Sequence, residues 1–333
     1  MSRALSPSRA ADFMQCPILY RFRVVDKLPE PPSRAAARGT LVHAVLEQLF
    51  DLPAAERSSQ AACSLVPGRW AAMVEAEPEL AALVSGEDSD KPNDNLDVNG
   101  DSANANTDGD PPSAGETGAR DSSSDGDNTD NLQALFAEAH TLINRWFTLE
   151  DPSKLEPAER ELYVETDVDG LTLRGYVDRL DEAPDGRLRV VDYKTGRAPS
   201  ELFEGKALFQ MRFYALVLWR TRGVVPSMLQ LVYLRDGQVL RYEPTEHDLR
   251  ATERKIKALW SAIERAALTG DWRPRTSRLC DWCHHQAVCP AFGGTPPPLP
   301  PDAASKALDP RRSADIAACS QGDQGVVSAE TVG

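Results

Sequence analysis

Gly175-Tyr176-Val177-Asp178 and Val191-Asp192-Tyr193-Lys194 set two carboxylates and an ammonium on neighbouring apolar-rich segments. Leu173 to Glu182 and Leu188 to Tyr193 read as strands, and the connector Pro184-Asp185-Gly186 fits a three-residue hairpin loop with glycine at the left-handed position. Such a loop pairs Ala183 with Arg187. Counting back from that pair sets Asp178 opposite Asp192 on one face, roughly 5 Å apart at Cβ, and Lys194 shares the face by the strand period of two. Carboxylates that close repel one another, and a hard cation between them resolves the conflict. Mg²⁺ takes one or two carboxylates, waters and a substrate phosphate in near-octahedral geometry, and Lys194 then stands where it could orient or acidify an attacking water. The same three side chains could also be an ion cluster on an exposed hairpin face, so their meaning depends on the company they keep.

That company comes from three other stretches. In Gly39-Thr40-Leu41-Val42-His43-Ala44-Val45-Leu46-Glu47, His43 and Glu47 lie four apart and project from one side of a helix; a packed or capping histidine is the plainer reading. Gln210 and Tyr214 are again one helical turn apart in Phe209 to Trp219, which also reads as an amphipathic core helix. Cys280-Asp281-Trp282-Cys283 followed by Cys289 gives C-x2-C-x5-C, and Cys16-Pro17 stands alone near the N-terminus. Four thiolates make a closed site for Zn²⁺ or an iron-sulfur cluster, and softness alone does not choose between them. His284 and His285 offer a rival zinc set with these cysteines. Cys63 and Cys319 fall in weakly ordered surroundings and read as bystanders. Trp272 and Trp282 could stack bases or pack round the cluster.

In order along the chain, Leu5-Ser6-Pro7-Ser8 leading to Cys16-Pro17, Gly39 to His43, Gly175 to Asp178, Asp192-Tyr193-Lys194-Thr195-Gly196, Gln210 to Tyr214 and the cysteine triplet resemble the RecB-type exonucleases of the PD-(D/E)xK superfamily. The likeness is to the branch with an iron-sulfur staple, which includes the AddB nuclease domain and the CRISPR-adaptation nucleases, and it spans residues 5–50 and about 158–290. It implies that His43, Asp178, Asp192 and the backbone carbonyl of Tyr193 bind the metal and that Lys194 is the catalytic lysine. Gln210 and Tyr214 would position the active site or the DNA, and Cys16, Cys280, Cys283 and Cys289 would hold a [4Fe-4S] cluster, with structural Zn²⁺ as the alternative. Asp192 stands where some relatives carry Glu, inside the pattern. Glu47 would touch the metal through water or be solvated. The activity implied is Mg²⁺- or Mn²⁺-dependent phosphodiester hydrolysis of DNA, by an exonuclease acting on single strands or duplex ends in repair or recombination. The alternative is a non-catalytic DNA-binding or scaffolding subunit of a helicase–nuclease complex. The chain has no G-x4-G-K-[ST] motif, so a separate helicase subunit would supply any strand separation.

A formal charge of −14 argues against a DNA partner until its distribution is considered. Residues 86–130 hold thirteen Asp or Glu against Lys91 and Arg120, a net of −11 that leaves −3 for the other 288 residues. With almost no large apolar residue, that stretch reads as a disordered insert. Residues 291–333, Pro-rich from Pro296, read as an unstructured tail. The expectation is one PD-(D/E)xK nuclease domain over residues 1–290, interrupted at 86–130. Its class is α/β: a restriction-endonuclease-like mixed sheet flanked by helices, with a helical N-terminal section to about residue 85, begun by Ser6 as N-cap and Pro7, and a cysteine-stapled C-terminal section. Strands are expected at about 160–168, 171–182, 187–194, 229–234 and 239–242, and helices at 131–149, 201–221 and 247–268. Arg21, Arg23, Arg34, Arg38, Arg197, Lys206, Arg273, Arg275 and Arg278 lie where a DNA path would need cations. The N-terminus has no apolar leader and the longest apolar run, Phe213 to Trp219, is seven residues, so a cytoplasmic protein without membrane contact is expected.

Overall fold

Short β-branched runs alternating with longer helical stretches build a sheet with helices packed against it. The computed structural model describes residues 3–85, 124–199 and 204–308. Six strands form one mixed sheet: β1 (Ala4–Leu5), β2 (Glu159–Val168), β3 (Leu171–Glu182), β4 (Leu188–Lys194), β5 (Met228–Tyr233) and β6 (Gln238–Tyr242). The order is β1-β3-β4-β5-β6, with β2 also paired to β3. Pairs β1–β3 and β4–β5 are parallel, and β3–β4 and β5–β6 antiparallel. This is the α/β, restriction-endonuclease-like class expected from the sequence. β1, at two residues, is too short to show as an alternation.

By contact the backbone divides into two compact units, one from Glu30–Val164 and Tyr176–Leu249, the other from the described parts of Met1–Pro29, Glu165–Gly175 and Arg250–Gly333. The first is the larger. Its helix α3 (Arg34–Leu49) starts where the Ser33 side chain accepts from the Ala36 N–H. Ala37, Leu41, Val45 and Leu49 make a helical apolar stripe, packed with Val66 and Trp70 of α4 (Ser59–Ala76), Leu135, Ile143 and Trp146 of α5 (Ser124–Leu149), and Val191 and Tyr193 of β4. α6 (Glu204–Arg222) packs on β4 and β5 and buries Met211, Phe213, Leu216 and Val217. Strands covered this way read as near-continuous apolar runs, as Val190 to Tyr193 and Leu229 to Tyr233 do.

Inside this unit sits a buried polar network. Arg179 on β3, 1% exposed, makes two 2.8 Å bonds to the Glu150 carboxylate and pairs with Asp181 at 3.0 Å. It also donates to the Tyr193 hydroxyl. Glu150 accepts in addition from Trp146 Nε1 at 2.8 Å and Gln230 Nε2 at 3.1 Å. Burial pushes the Glu150 carboxyl up, but the bonds from Arg179 outweigh it and hold the group below its ordinary value.

The second unit contains α1 (Pro7–Gln15), capped by the Ser6 side chain with Pro7 in the first turn as the sequence predicts. α2 (Pro17–Tyr20) and a π turn (Arg21–Val25) follow. In α7 (Glu246–Thr269), which enters this unit from residue 250, Ile256, Trp260, Ile263 and Ala267 line a buried stripe. Phe13, Tyr20 and Trp272 form an aromatic cluster with centroids 5.7–6.4 Å apart. Two expectations on order change here. Helix α5 begins at Ser124, inside the stretch expected to lack structure, while 86–123 lie outside the described residues. Of the tail, residues up to 308 are described and end in α8 (Ala303–Leu308), whose Ala307 carbonyl accepts from the Tyr20 hydroxyl at 2.8 Å; that tertiary contact has no local sequence signature. Among the described residues no helix is long and apolar enough to cross a membrane.

Replacing Arg179→Met should lower the unfolding free energy by about 3–5 kcal/mol, because it strands the buried Glu150 carboxylate without its counter-charge. Urea denaturation measures the loss, and a change below about 1 kcal/mol would mean that Trp146 and Gln230 alone satisfy Glu150.

Candidate active site and cysteine cavity

The β3–β4 turn has the expected form: Ala183 N–H bonds the Arg187 carbonyl at 2.9 Å, and Gly186 has φ +81°. The ladder runs Glu182↔Leu188, Asp181↔Arg189, Leu180↔Val190, Arg179↔Val191, which is the register counted from that turn. One step further the Asp178 side chain takes over: its Oδ2 accepts the Tyr193 N–H at 2.8 Å. The neighbouring helix α3 comes close at Gly39, where a Cβ would lie 3.2 Å from Thr195 Oγ1. One turn on, His43 Nε2 is 2.9 Å from the Tyr193 carbonyl oxygen and Nδ1 is 3.5 Å from Asp178 Oδ2.

On β4, Asp192 is 2% exposed and pairs through Oδ2 with Lys194 Nζ at 2.6 Å. Gln210 of α6 bridges this pair, accepting from Lys194 Nζ at 3.0 Å and donating through Nε2 to Asp192 Oδ1 at 3.1 Å and to the Tyr214 hydroxyl at 3.2 Å. His43, Asp178, Asp192, Tyr193, Lys194, Gln210 and Tyr214 therefore meet in one place. Burial pulls the Lys194 ammonium down, but the Asp192 charge and bond outweigh it and raise the group above its ordinary value, so it stays protonated. Burial and the Asp192 charge push the Asp178 carboxyl up, partly offset by His43 and Lys194.

Glu161 is the residue that sequence reasoning missed. Its carboxylate, an Asp178 oxygen and a His43 ring nitrogen lie within 4.8 Å of one another, a set able to hold a metal ion. Burial, with the charges of Asp178, Glu47 and Asp192, pushes its carboxyl up to about 7. Its φ of +44° is rare for a side-chain-bearing residue in a strand and costs on the order of 1–3 kcal/mol. The signal was present in the second hairpin. Asp169 and Gly170 have φ +53° and +79°, as a two-residue type I′ turn requires, and counting outward from Val168 and Leu171 brings Glu161 to within one position of Asp178; the left-handed Glu161 and the Ala158 N–H bond to the Leu180 carbonyl mark a one-residue slip in the count.

In the other unit Cys16, Cys280, Cys283 and Cys289 line one cavity, together with apolar Ile18, Leu19 and Phe22. Backbone N–H groups point at two of the sulfurs, Arg275 at Cys16 and Ser277 at Cys280, each at 3.3 Å. Burial, with the other three thiols, pushes the Cys283 thiol above its ordinary value, against a backbone hydrogen bond at His285 that lowers it. Neither rival histidine lines this cavity: His284 is exposed, and His285 is buried with its ring 5.3 Å from Phe22. Cys63 sits in α4, in ordered helix rather than the weakly ordered surroundings expected; Cys319 lies outside the described residues. Trp272 is buried and stacked on Tyr20, whereas Trp282 is exposed. Several arginines expected along a DNA path are engaged internally: Arg21 with Asp26, Arg23 with Asp12, Arg34 and Arg38 with Glu138, and Arg273 with Asp271.

The chain belongs to the PD-(D/E)XK nuclease superfamily, whose profile matches residues 4–290. It is similar to the Gene 69 proteins of two mycobacterial phages. The protein of Mycobacterium phage D29 is 33% identical over 136 residues, 40% of this chain and 48% of the phage protein. That of Mycobacterium phage L5 is 29% identical over 135 residues, 40% and 44% of the two chains. The chain spans about half the length of these relatives. Among solved structures, a candidate exonuclease from Eubacterium rectale aligns over 85% of this chain and 88% of its own, with 12% identity and a TM-score of 0.46.

The raised Glu161 carboxyl has a measurable consequence in metal-free protein. The folded chain keeps this proton up to about pH 7, whereas an ordinary glutamate releases it near 4.5. The native state thus binds the extra proton between those values, and stability falls as pH rises through the window and stays lower above it. Relative to wild type in EDTA, Glu161→Gln should gain stability progressively from pH 4.5 to 7, ending roughly 1 kcal/mol ahead once solvent screening is allowed for. A constant difference across that range in urea melts would contradict it.

Proposed function

We propose that the chain is a RecB-type deoxyribonuclease that cleaves phosphodiester bonds with Mg²⁺ or Mn²⁺, as an exonuclease on single strands or duplex ends, in DNA repair or recombination. The observation that carries this reading is the meeting of Asp178, Asp192 and Lys194 beside His43, on two strands of opposite direction and one helix. The donor set fits a divalent cation: hard carboxylate oxygens with one imidazole, a mixture that makes Mn²⁺ more acceptable than a pure oxygen site would. His43, Asp178 and Asp192 would hold it, with the Tyr193 carbonyl, and Glu161 belongs with them on proximity. When bound, such an ion neutralises the carboxylates, polarises the scissile phosphate and acidifies a coordinated water.

The chain's own groups have separate tasks. Lys194, kept protonated between Asp192 and Gln210, orients the attacking water and offsets charge that develops on the phosphate oxygens. Gln210, held by Tyr214, fixes the direction of the ammonium. Asp178 both faces the cation and fixes the Tyr193 peptide. In the other unit, the four thiols lining one cavity, with N–H groups aimed at two of the sulfurs, would hold a [4Fe-4S] cluster as the staple, with structural Zn²⁺ as the alternative. Strand separation, where needed, would come from a separate helicase subunit.

Digestion of single-stranded DNA labelled at the 5′ or the 3′ end, with Mg²⁺ or Mn²⁺, tests activity, metal need and direction together. Asp192→Ala and Lys194→Ala should each slow cleavage by about a hundredfold or more. Equal rates in all three proteins would leave the DNA-binding or scaffolding subunit as the surviving reading. Anaerobically purified protein should be brown and contain iron; a colourless, iron-free sample with stoichiometric zinc would replace the cluster.

A further inference from the structure

Tyr163 on β2 and Tyr176 on β3 are 46% and 49% exposed, and their rings meet at 5.2 Å between centroids with a 56° tilt. The count outward from the Asp169-Gly170 turn sets Tyr163 opposite Tyr176, in accord with their ring contact. Tyr176 lies two residues from Asp178 on β3, so period two puts its ring, and with it that of Tyr163, on the side of that carboxylate, about 7 Å along. That distance is close to one nucleotide step of an extended strand. An aromatic pair directly across two strands adds a few tenths to 1 kcal/mol to a sheet, and burying the rings would serve that purpose better than leaving nearly half of each in water. Neutral π faces beside Glu161 and Asp178 suit an uncharged ring and not a phosphate, which those carboxylates repel.

We propose that Tyr163 and Tyr176 form a stacking platform for an unpaired nucleobase next to the bond that is cut, so that the site takes single-stranded nucleic acid with its bases splayed out. This rests on the nuclease reading above and narrows its substrate to the unpaired strand, with a named base-stacking subsite. Aromatic stacking is tolerant of base identity, so the platform selects single strands over paired duplex without selecting sequence.

The test is fluorescence anisotropy in EDTA, which stops hydrolysis, with a labelled oligothymidylate and an abasic oligonucleotide of equal length and charge. Wild type should bind the base-bearing strand about tenfold or more tightly than the abasic one. The double variant Tyr163→Ala with Tyr176→Ala should bring the two affinities together, while Tyr176→Trp, which keeps the π face, should hold the preference; thermal melts verify that each variant is folded. A preference that survives in the double alanine variant, or its absence in wild type, overturns the platform. Cleavage without base preference sinks the platform alone, and base preference in a protein that neither Mg²⁺ nor Mn²⁺ activates for cleavage supports the platform while sinking the catalytic reading.

Discussion

Mutual repulsion among Glu161, Asp178 and Asp192 is the constraint around which this molecule is arranged. Three carboxylates converge where one protonated amine, Lys194, and one imidazole, His43, stand against them. Left to itself such a cluster would push its strands apart or take up protons; burial, joined by this repulsion, raises the carboxyls of Glu161 and Asp178 in the second sense. The fold resists the first by strength elsewhere: β4 is flanked by β3 and β5 and covered by helices, so the strand bearing Asp192 cannot withdraw.

Tyr193 transmits that resistance. Its peptide is gripped from both ends, the N–H by Asp178 and the carbonyl by His43, while its ring lies in the core against Trp146, with the Arg179 guanidinium 5.6 Å from its centre. The carboxylates on one side of the strand and the Glu150–Arg179 pair on the other are thereby joined through a single residue. Gly39 completes the arrangement by letting α3 approach closely enough for His43 to reach that peptide.

Much of this was legible beforehand, and the exceptions have physical causes. The β3–β4 register followed from Pro184-Asp185-Gly186, because a glycine in the left-handed region leaves a short loop few ways to close. Glu161 escaped because the Asp169-Gly170 turn was not used for the same arithmetic, and because a positive φ at a glutamate defies local propensity. The Arg179 network was hidden for another reason: a charged residue in a strand pattern is ordinarily read as facing water, and only the three-dimensional supply of Glu150 and Asp181 makes its burial tolerable. α8 and the early start of α5 depend on contacts or extensions that no window of sequence contains. The four cysteines were expected together from their spacing and a family likeness, and they do line one cavity; which group they hold is a matter of sulfur chemistry that spacing leaves open.

The double grip on Tyr193 has a consequence for how such a chain can drift. A change at Glu150, the residue that follows α5, alters the seat of the Tyr193 ring and hence the tilt of the backbone that faces the carboxylates. Ancestry should therefore treat positions 150, 179 and 193 as a linked genotype, altered jointly or not at all, even though two of the three never meet the outside world.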